Sequence, residues 1–168
     1  MNHDFFILTA ITAGSLASIF YIPKDKYRVA LVSLLVYQTI TWSTSLVLVQ
    51  LGLYSFPIRE FPRATQGSFL HLFVFYPALY AWFILLFPDG ATLIKRISHY
   101  LIFVSVLVWF EYYMVAYTNL KRFHKYPMSV HLVITYIRFL LYFYVCRRYI
   151  LWMAKKTHLA AGASKTPE

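Results

Sequence analysis

A chain of 168 residues that is 60% apolar and only 13% charged carries too few charges to cover a water-soluble surface, where about a quarter of residues are charged. Disorder is excluded as well, because 20% of the chain is Phe, Tyr or Trp and disordered segments are poor in such residues. A net charge of +10 in so apolar a chain points to cytoplasmic loops and anionic headgroups rather than to nucleic acid.

Crossing a hydrocarbon core of about 30 Å takes about 20 mostly apolar residues in a helix. Five runs meet or approach that length: 5–22, 29–53, 69–87, 100–117 and 128–149. The first two carry no charge. The fourth is interrupted by Glu111 and the fifth by Arg138. The expected fold is therefore an all-α bundle of about five membrane spans over residues 1–153, with a polar cytoplasmic tail at 154–168 that frays from Lys155.

Between the runs the chain is punctuated. Pro23-Lys24-Asp25-Lys26 is a short polar link. Pro57 and Pro62 keep segment 54–67 from being regular helix, and its paired Phe-Pro and Arg residues suit an interfacial loop. Pro88-Asp89-Gly90 is a turn signal, and Ile94–His99 can begin the fourth helix early. Pro127 suits the first turn of the fifth. The N-terminus lacks a positive n-region, so the first run is expected to be retained rather than cleaved as a signal. With the N-terminus outside, the inner side holds Lys24, Lys26, Arg28, Lys95, Arg96, Arg147, Arg148, Lys155, Lys156 and Lys165. The outer side holds Arg59, Arg63, Lys121, Arg122 and Lys125. This ten-to-five division of basic residues favours N-out, C-in.

Polar groups inside the spans are the candidates for chemistry, because each is costly there and needs a partner. Glu111 lies about six residues from the outer end of its run and Arg138 about ten from the outer end of its own. At 1.5 Å per residue the two differ in depth by about 6 Å, which an Arg side chain can bridge. They are expected to pair, either as a register-fixing ion pair or as part of a proton or ion relay. His131, Thr135, Arg138 and Tyr142 share one face of the fifth run. His71 is at a similar outer depth, and with Glu111 and His131 it would form a His/His/Glu cluster. That spacing is not a metal motif, and neither a metal nor a cofactor is expected. Gln38, Thr41 and Ser45 share a face of the second run and suit hydrogen bonds between helices, with Gln38 near the expected polar path. Ala10, Gly14 and Ser18 give the first run a face that permits close packing, within the bundle or between protomers. Cys146 reads as a packed residue rather than a reactive thiol.

The run Leu51-Gly52-Leu53-Tyr54 with Phe61-Pro62, the segment Phe69 to Pro77, and the turn at Phe87-Pro88 are distinctive. So are Trp109-Phe110-Glu111-Tyr112-Tyr113 and Lys121-Arg122-Phe123-His124-Lys125-Tyr126. Together they resemble a family of small multi-helix membrane proteins from spore-forming Firmicutes, over about residues 30–150. The resemblance implies a bacterial cell-membrane location and carries no activity with it. It marks Glu111 and the Phe61-Pro62 loop as positions to test.

The sequence thus reads as a multi-pass cell-membrane protein whose partners are the lipid bilayer and either further copies of itself or another membrane protein. Its leading function is non-enzymatic interaction or assembly. The alternatives are a small oligomeric transporter or channel with a polar path near Glu111 and Arg138, and a membrane enzyme acting on lipid or quinone headgroups.

Overall fold

An apolar run placed in lipid has one way to satisfy its own backbone, which is to coil into a helix. The computed structural model describes residues 2–61, 63 and 67–163, with side chains as far as Lys156 apart from those of Asn2 and Phe5. Five α-helices lie among the described residues: α1 (Asn2–Phe20), α2 (Tyr27–Gln50), α3 (Tyr76–Leu85), α4 (Leu93–Tyr117) and α5 (Met128–Ala163). Two short strands, β1 (Tyr54–Ser55) and β2 (Arg122–Phe123), pair antiparallel. Three helices are long and apolar enough to cross a membrane, over Lys24–Gln50, Leu93–Tyr117 and Met128–Lys156, and two shorter apolar helices cover Phe6–Phe20 and His71–Leu85.

The helix ends alternate between two poles. Pairing of Tyr54 with Phe123 and of Ser55 with Arg122 brings the end of α2 beside the end of α4. The backbone N–H of Asn119 donates to Asp4 Oδ2 at 3.4 Å, which places the start of α1 at that same pole. At the opposite pole Arg147 of α5 forms an ion pair with Asp89, in the turn between α3 and α4. The Arg147 guanidinium also lies 3.7 Å from the Phe87 ring centroid.

Local signals account for most of the boundaries. The turn at Pro88 closes with Ala91 N–H donating to Pro88 O at 3.1 Å. Helix α4 begins at Leu93, taking in the Ile94–His99 stretch. Helix α2 ends in a Schellman arrangement: Leu53 N–H reaches Leu48 O, Gly52 N–H reaches Val49 O, and Gly52 takes the left-handed φ of 66° that glycine adopts without strain. Helix α5 starts just after Pro127 and continues to Ala163. The tail expected to fray from Lys155 is therefore helical to that point, and 164–168 lie outside the described residues, as does Pro62.

Helix α3 carries two features that hydropathy did not signal. It is preceded by a π-helical turn, His71–Phe75, in which Tyr76 N–H reaches His71 O, five residues back. Pro77 follows at once. Proline has no N–H and its ring crowds the carbonyl four residues earlier, so a widened turn ahead of it relieves the crowding. The helical residues ahead of that turn, Phe69 and Leu70, are capped from a distance. Glu60 accepts Phe69 N–H at 2.8 Å, Leu70 N–H at 3.4 Å and the Ser68 hydroxyl at 2.9 Å, satisfying donors that a helix start leaves open.

Helix α2 turns its small and polar residues inward, whereas α4 buries Val104, Leu107, Phe110 and Met114. The buried positions of α2 are Ala30, Ser33, Tyr37, Thr41 and Ser45, all small or polar-bearing. Leu35 and Val47 of α2, Ile102 and Trp109 of α4, and Ile137 and Leu141 of α5 are exposed. Such a continuous apolar exterior is a liability in water and suits lipid. Inside, Tyr80 of α3 stacks on Tyr37 of α2 with ring centroids 4.4 Å apart, and Phe143 of α5 meets both edge-on. Cys146 is fully buried, in keeping with a packing role.

One packing expectation needs correction and another is narrowed. The α2 hydroxyls mostly do not join helices: Ser33, Thr41 and Thr44 donate to the carbonyls of Val29, Tyr37 and Ile40, each four residues back on α2. Short hydroxyl side chains reach their own backbone more readily than a neighbour's. On α1 the small-residue face is not closely packed within the chain at Gly14, and its use between protomers stands as it was. A Cβ at Gly14 would meet nothing within 4 Å. That face instead borders a groove of about 450 Å³, lined also by Ala78 and Trp82 of α3 and Trp109 of α4.

Removing the remote cap should loosen α3. Glu60→Ala is expected to cost roughly 0.5–2 kcal/mol of stability, read from thermal unfolding in detergent. Glu60→Gln, which keeps one acceptor oxygen, should cost less. Equal midpoints for all three proteins would mean that the cap contributes nothing.

Candidate functional site

Glu111 sits six residues before the end of α4, where the helix packs inward, and its side chain is completely buried. A buried carboxylate needs a cation and hydrogen bonds to remain charged. Lys121 supplies the cation. Its Nζ lies 2.5 Å from Glu111 Oε2, and its side chain is only 2% exposed. The Tyr76 hydroxyl donates to the other carboxylate oxygen, Oε1. The Lys121 ammonium is also held over aromatic rings, 4.2 Å from the Tyr54 centroid and 5.5 and 5.6 Å from those of Phe56 and Phe123. These ring faces attract a desolvated cation. Burial pushes the Lys121 ammonium below the ordinary lysine range, and the Glu111 carboxylate pulls the other way.

The expected Glu111–Arg138 pair is therefore replaced by Glu111–Lys121. Sequence reasoning counted Lys121 among the outer-loop cations because nothing in hydropathy marks a loop residue that folds back into a bundle. The surviving signal was local, a lysine ten residues after the glutamate within a run of aromatic and basic residues. The β1–β2 pairing accompanies this contact, and the 118–127 segment lies across the ends of α2 and α4. His124 N–H donates to Leu53 O at 2.9 Å, and its ring Nε2 lies 2.8 Å from Ser55 Oγ. Lys125, at a left-handed φ of 69°, donates to Leu51 O at the C-terminus of α2, where a cation also favours the helix dipole.

Arg138 comes close without touching the carboxylate. Its guanidinium carbon lies 5.8 Å from the Tyr54 ring centroid and 5.3 Å from that of Phe139. Its Nε is sealed from solvent and has no hydrogen-bond partner among the described residues. Arg138, Glu111, Lys121, Tyr76, Tyr54 and Tyr142 share the lining of one small cavity with Thr41, Thr44 and Ser45 of α2. Its volume is about 10 Å³, room for about one water-sized particle. Tyr142 lines this cavity, whereas Thr135 and His131, on the same face of α5, do not.

The remaining candidates fall elsewhere. His131 stacks on Phe123 with centroids 4.4 Å apart, and its Nε2 lies 2.6 Å from His124 O, so it anchors the loop. Thr135 is buried on α5 and Gln38 is half-buried on α2, but neither lines the cavity. His71 is buried beside Tyr76 and Phe110, its Nδ1 2.7 Å from Ser68 Oγ. The proposed His/His/Glu cluster is not assembled, and no group of three potential metal ligands occurs among the described residues. Glu60, Ser68 and His71 form a short chain with serine in the middle. A nucleophilic triad needs histidine there, between the serine and the carboxylate.

No protein-family model, curated protein or solved structure matches the chain.

Losing one member of a buried ion pair leaves an uncompensated charge and costs about 3–5 kcal/mol, whereas replacing both is far milder. Glu111→Gln and Lys121→Met should each lower stability in detergent more than the double variant does. Coupling within this pair should exceed that between Glu111→Gln and Arg138→Met in the same double-mutant cycles. The reverse order would return the partnership to Arg138.

Proposed function

We propose that the protein is a five-span integral membrane protein, N-terminus outside and C-terminus inside, acting non-enzymatically as an assembly component. Its β1–β2 pole would be the surface that meets a neighbouring membrane protein. The resemblance to the spore-former family favours a bacterial cell membrane. The observation that carries the reading is the anchoring of segment 118–127 through the buried Lys121–Glu111 pair. An exposed loop normally keeps the freedom of a surface segment. This one is tied down at Lys121, His124 and Lys125, so Arg122 and Tyr126 are presented on a fixed scaffold. Pre-organisation of this kind lowers the ordering cost of docking.

The charge asymmetry supports the orientation. Lys121 is engaged inside the bundle, so the expected outer side keeps Arg59, Arg63, Arg122 and Lys125 for a headgroup layer, against nine described basic residues on the expected inner side, of which Arg147 is paired with Asp89. Helices α1 and α3 are short for a span, but α1 with 19 residues covers about 28 Å at 1.5 Å per residue. The alternation of helix ends gives both helices the direction that five crossings require.

Two measurements bear on this reading. In a Cys146→Ser background, a cysteine at position 2 should react with an impermeant reagent from outside, and one at position 160 only after permeabilisation. Labelling of both from the same side would remove the odd number of spans. For the docking pole, a photo-crosslinking residue at Tyr126 should give an adduct of discrete mass in native membranes. One at lipid-facing Ile102 should give none. The Tyr126 adduct should disappear in Lys121→Met, which frees the loop. An adduct indifferent to Lys121, or equal at the two positions, would defeat the proposal.

The transporter reading keeps one supporting observation, the unsatisfied Arg138 Nε beside a polar cavity.

A further inference from the structure

We infer that the cavity between α2 and α5 is a binding site for a single-atom anion of the halide class, held by Arg138, Ser45 and Tyr142. The inference stands apart from the docking reading, because it concerns the interior of the bundle and not its pole.

Formal charge gives the sign of the ligand. Glu111 is answered by Lys121 and by the Tyr76 hydroxyl, one on each carboxylate oxygen. Arg138 then adds a positive charge for which the described residues offer no hydrogen bond and no ion pair. It is held only beside the Tyr54 and Phe139 rings. The lining is consequently positive by one charge in a low-dielectric bundle, where an uncompensated charge is expensive.

Hydrogen-bond bookkeeping gives the same answer. Each hydroxyl has one hydrogen to donate. Tyr54 spends its hydrogen on Ser45 Oγ at 3.1 Å, Tyr76 on Glu111, and Thr41 and Thr44 on carbonyls of α2. Ser45 receives a bond and keeps its own hydrogen. The Tyr142 hydroxyl makes no hydrogen bond among the described residues. Arg138 retains its Nε–H. Three donors on two facing helices thus line one cavity, while both carboxylate oxygens there are already engaged. An anion accepts from all three donors and cancels the surplus charge. A water molecule accepts from two and leaves the charge in place.

Size narrows the class. A cavity of about 10 Å³ admits a particle close to water in size. Fluoride fits directly, and chloride fits with a small outward shift of the Tyr142 and Arg138 side chains. Tetrahedral oxyanions such as phosphate do not.

The test uses the full-length protein in detergent at constant sodium, exchanging gluconate for fluoride or chloride and reading the unfolding midpoint. A ligand that binds only the folded state raises that midpoint and does so saturably. We expect at least one halide to raise it by about 3 °C or more, with inorganic phosphate unable to compete. The rise should vanish in Arg138→Met and shrink in Tyr142→Phe and Ser45→Ala. If Arg138→Met does not fold, the other two variants decide the matter. A wild-type midpoint equal in halide and gluconate means that water alone fills the cavity and overturns the inference. So does a halide effect that does not saturate, that phosphate abolishes, or that survives unchanged in the variants.

Discussion

The buried contact between Lys121 and Glu111 is the constraint on which the β1–β2 pole depends. Neither group could stand in the bundle alone, since an isolated charge there costs several kcal/mol. Together they fix the distance between a loop and the inner face of α4. Once that distance is set, the neighbours have little freedom. Tyr54 and Phe56 close over the ammonium, Tyr76 completes the carboxylate, and β2 is carried into register with β1. An apolar pair of the same volume could match the contact in stability. It would not select one loop position so sharply, because apolar contacts are non-directional.

The solvent explains the rest of the arrangement. In lipid no outside apolar force distinguishes Leu on one helix face from Leu on another, so packing and polar contacts decide which face turns inward. Helix α2 illustrates this, with Ser33, Thr41 and Ser45 inside and Leu35 and Val47 outside. The same preference leaves polar atoms in the core that ordinary packing does not satisfy. The hydroxyls of Tyr37 and Tyr80 lack hydrogen-bond partners among the described residues, as do His71 Nε2 and Arg138 Nε. Native interiors contain few such atoms, and here they lie on α2, on α3 and the turn before it, and on α5.

What the sequence revealed follows from the range of each signal. Helices α2, α4 and α5 are legible because their apolar runs are long, and the turn at Pro88 because its residues are local determinants. The β1–β2 pairing was not legible. Two-residue strands have no usable periodicity, and their partners lie about seventy positions apart. Glu111 was identified as a buried charge in need of a partner, which is a matter of composition. Choosing Lys121 over Arg138 required knowing the fold of a loop, which is not. The π turn at His71–Phe75 belongs to the same class, since Pro77 announces a defect in the helix without saying how it is absorbed.

The ten residues between Glu111 and Lys121 also set a schedule for biogenesis. Helix α4 leaves the ribosome with its carboxylate ahead of the lysine, which trails it by ten residues. At about 5–20 residues per second, the answering charge follows roughly half a second to two seconds later. During that interval α4 carries an unneutralised acid toward the bilayer. Protonation, or residence beside water in the insertion machinery, has to bridge the gap. Docking of the loop is what brings the answering charge to α4, so burial of the glutamate and seating of the loop are two sides of one contact.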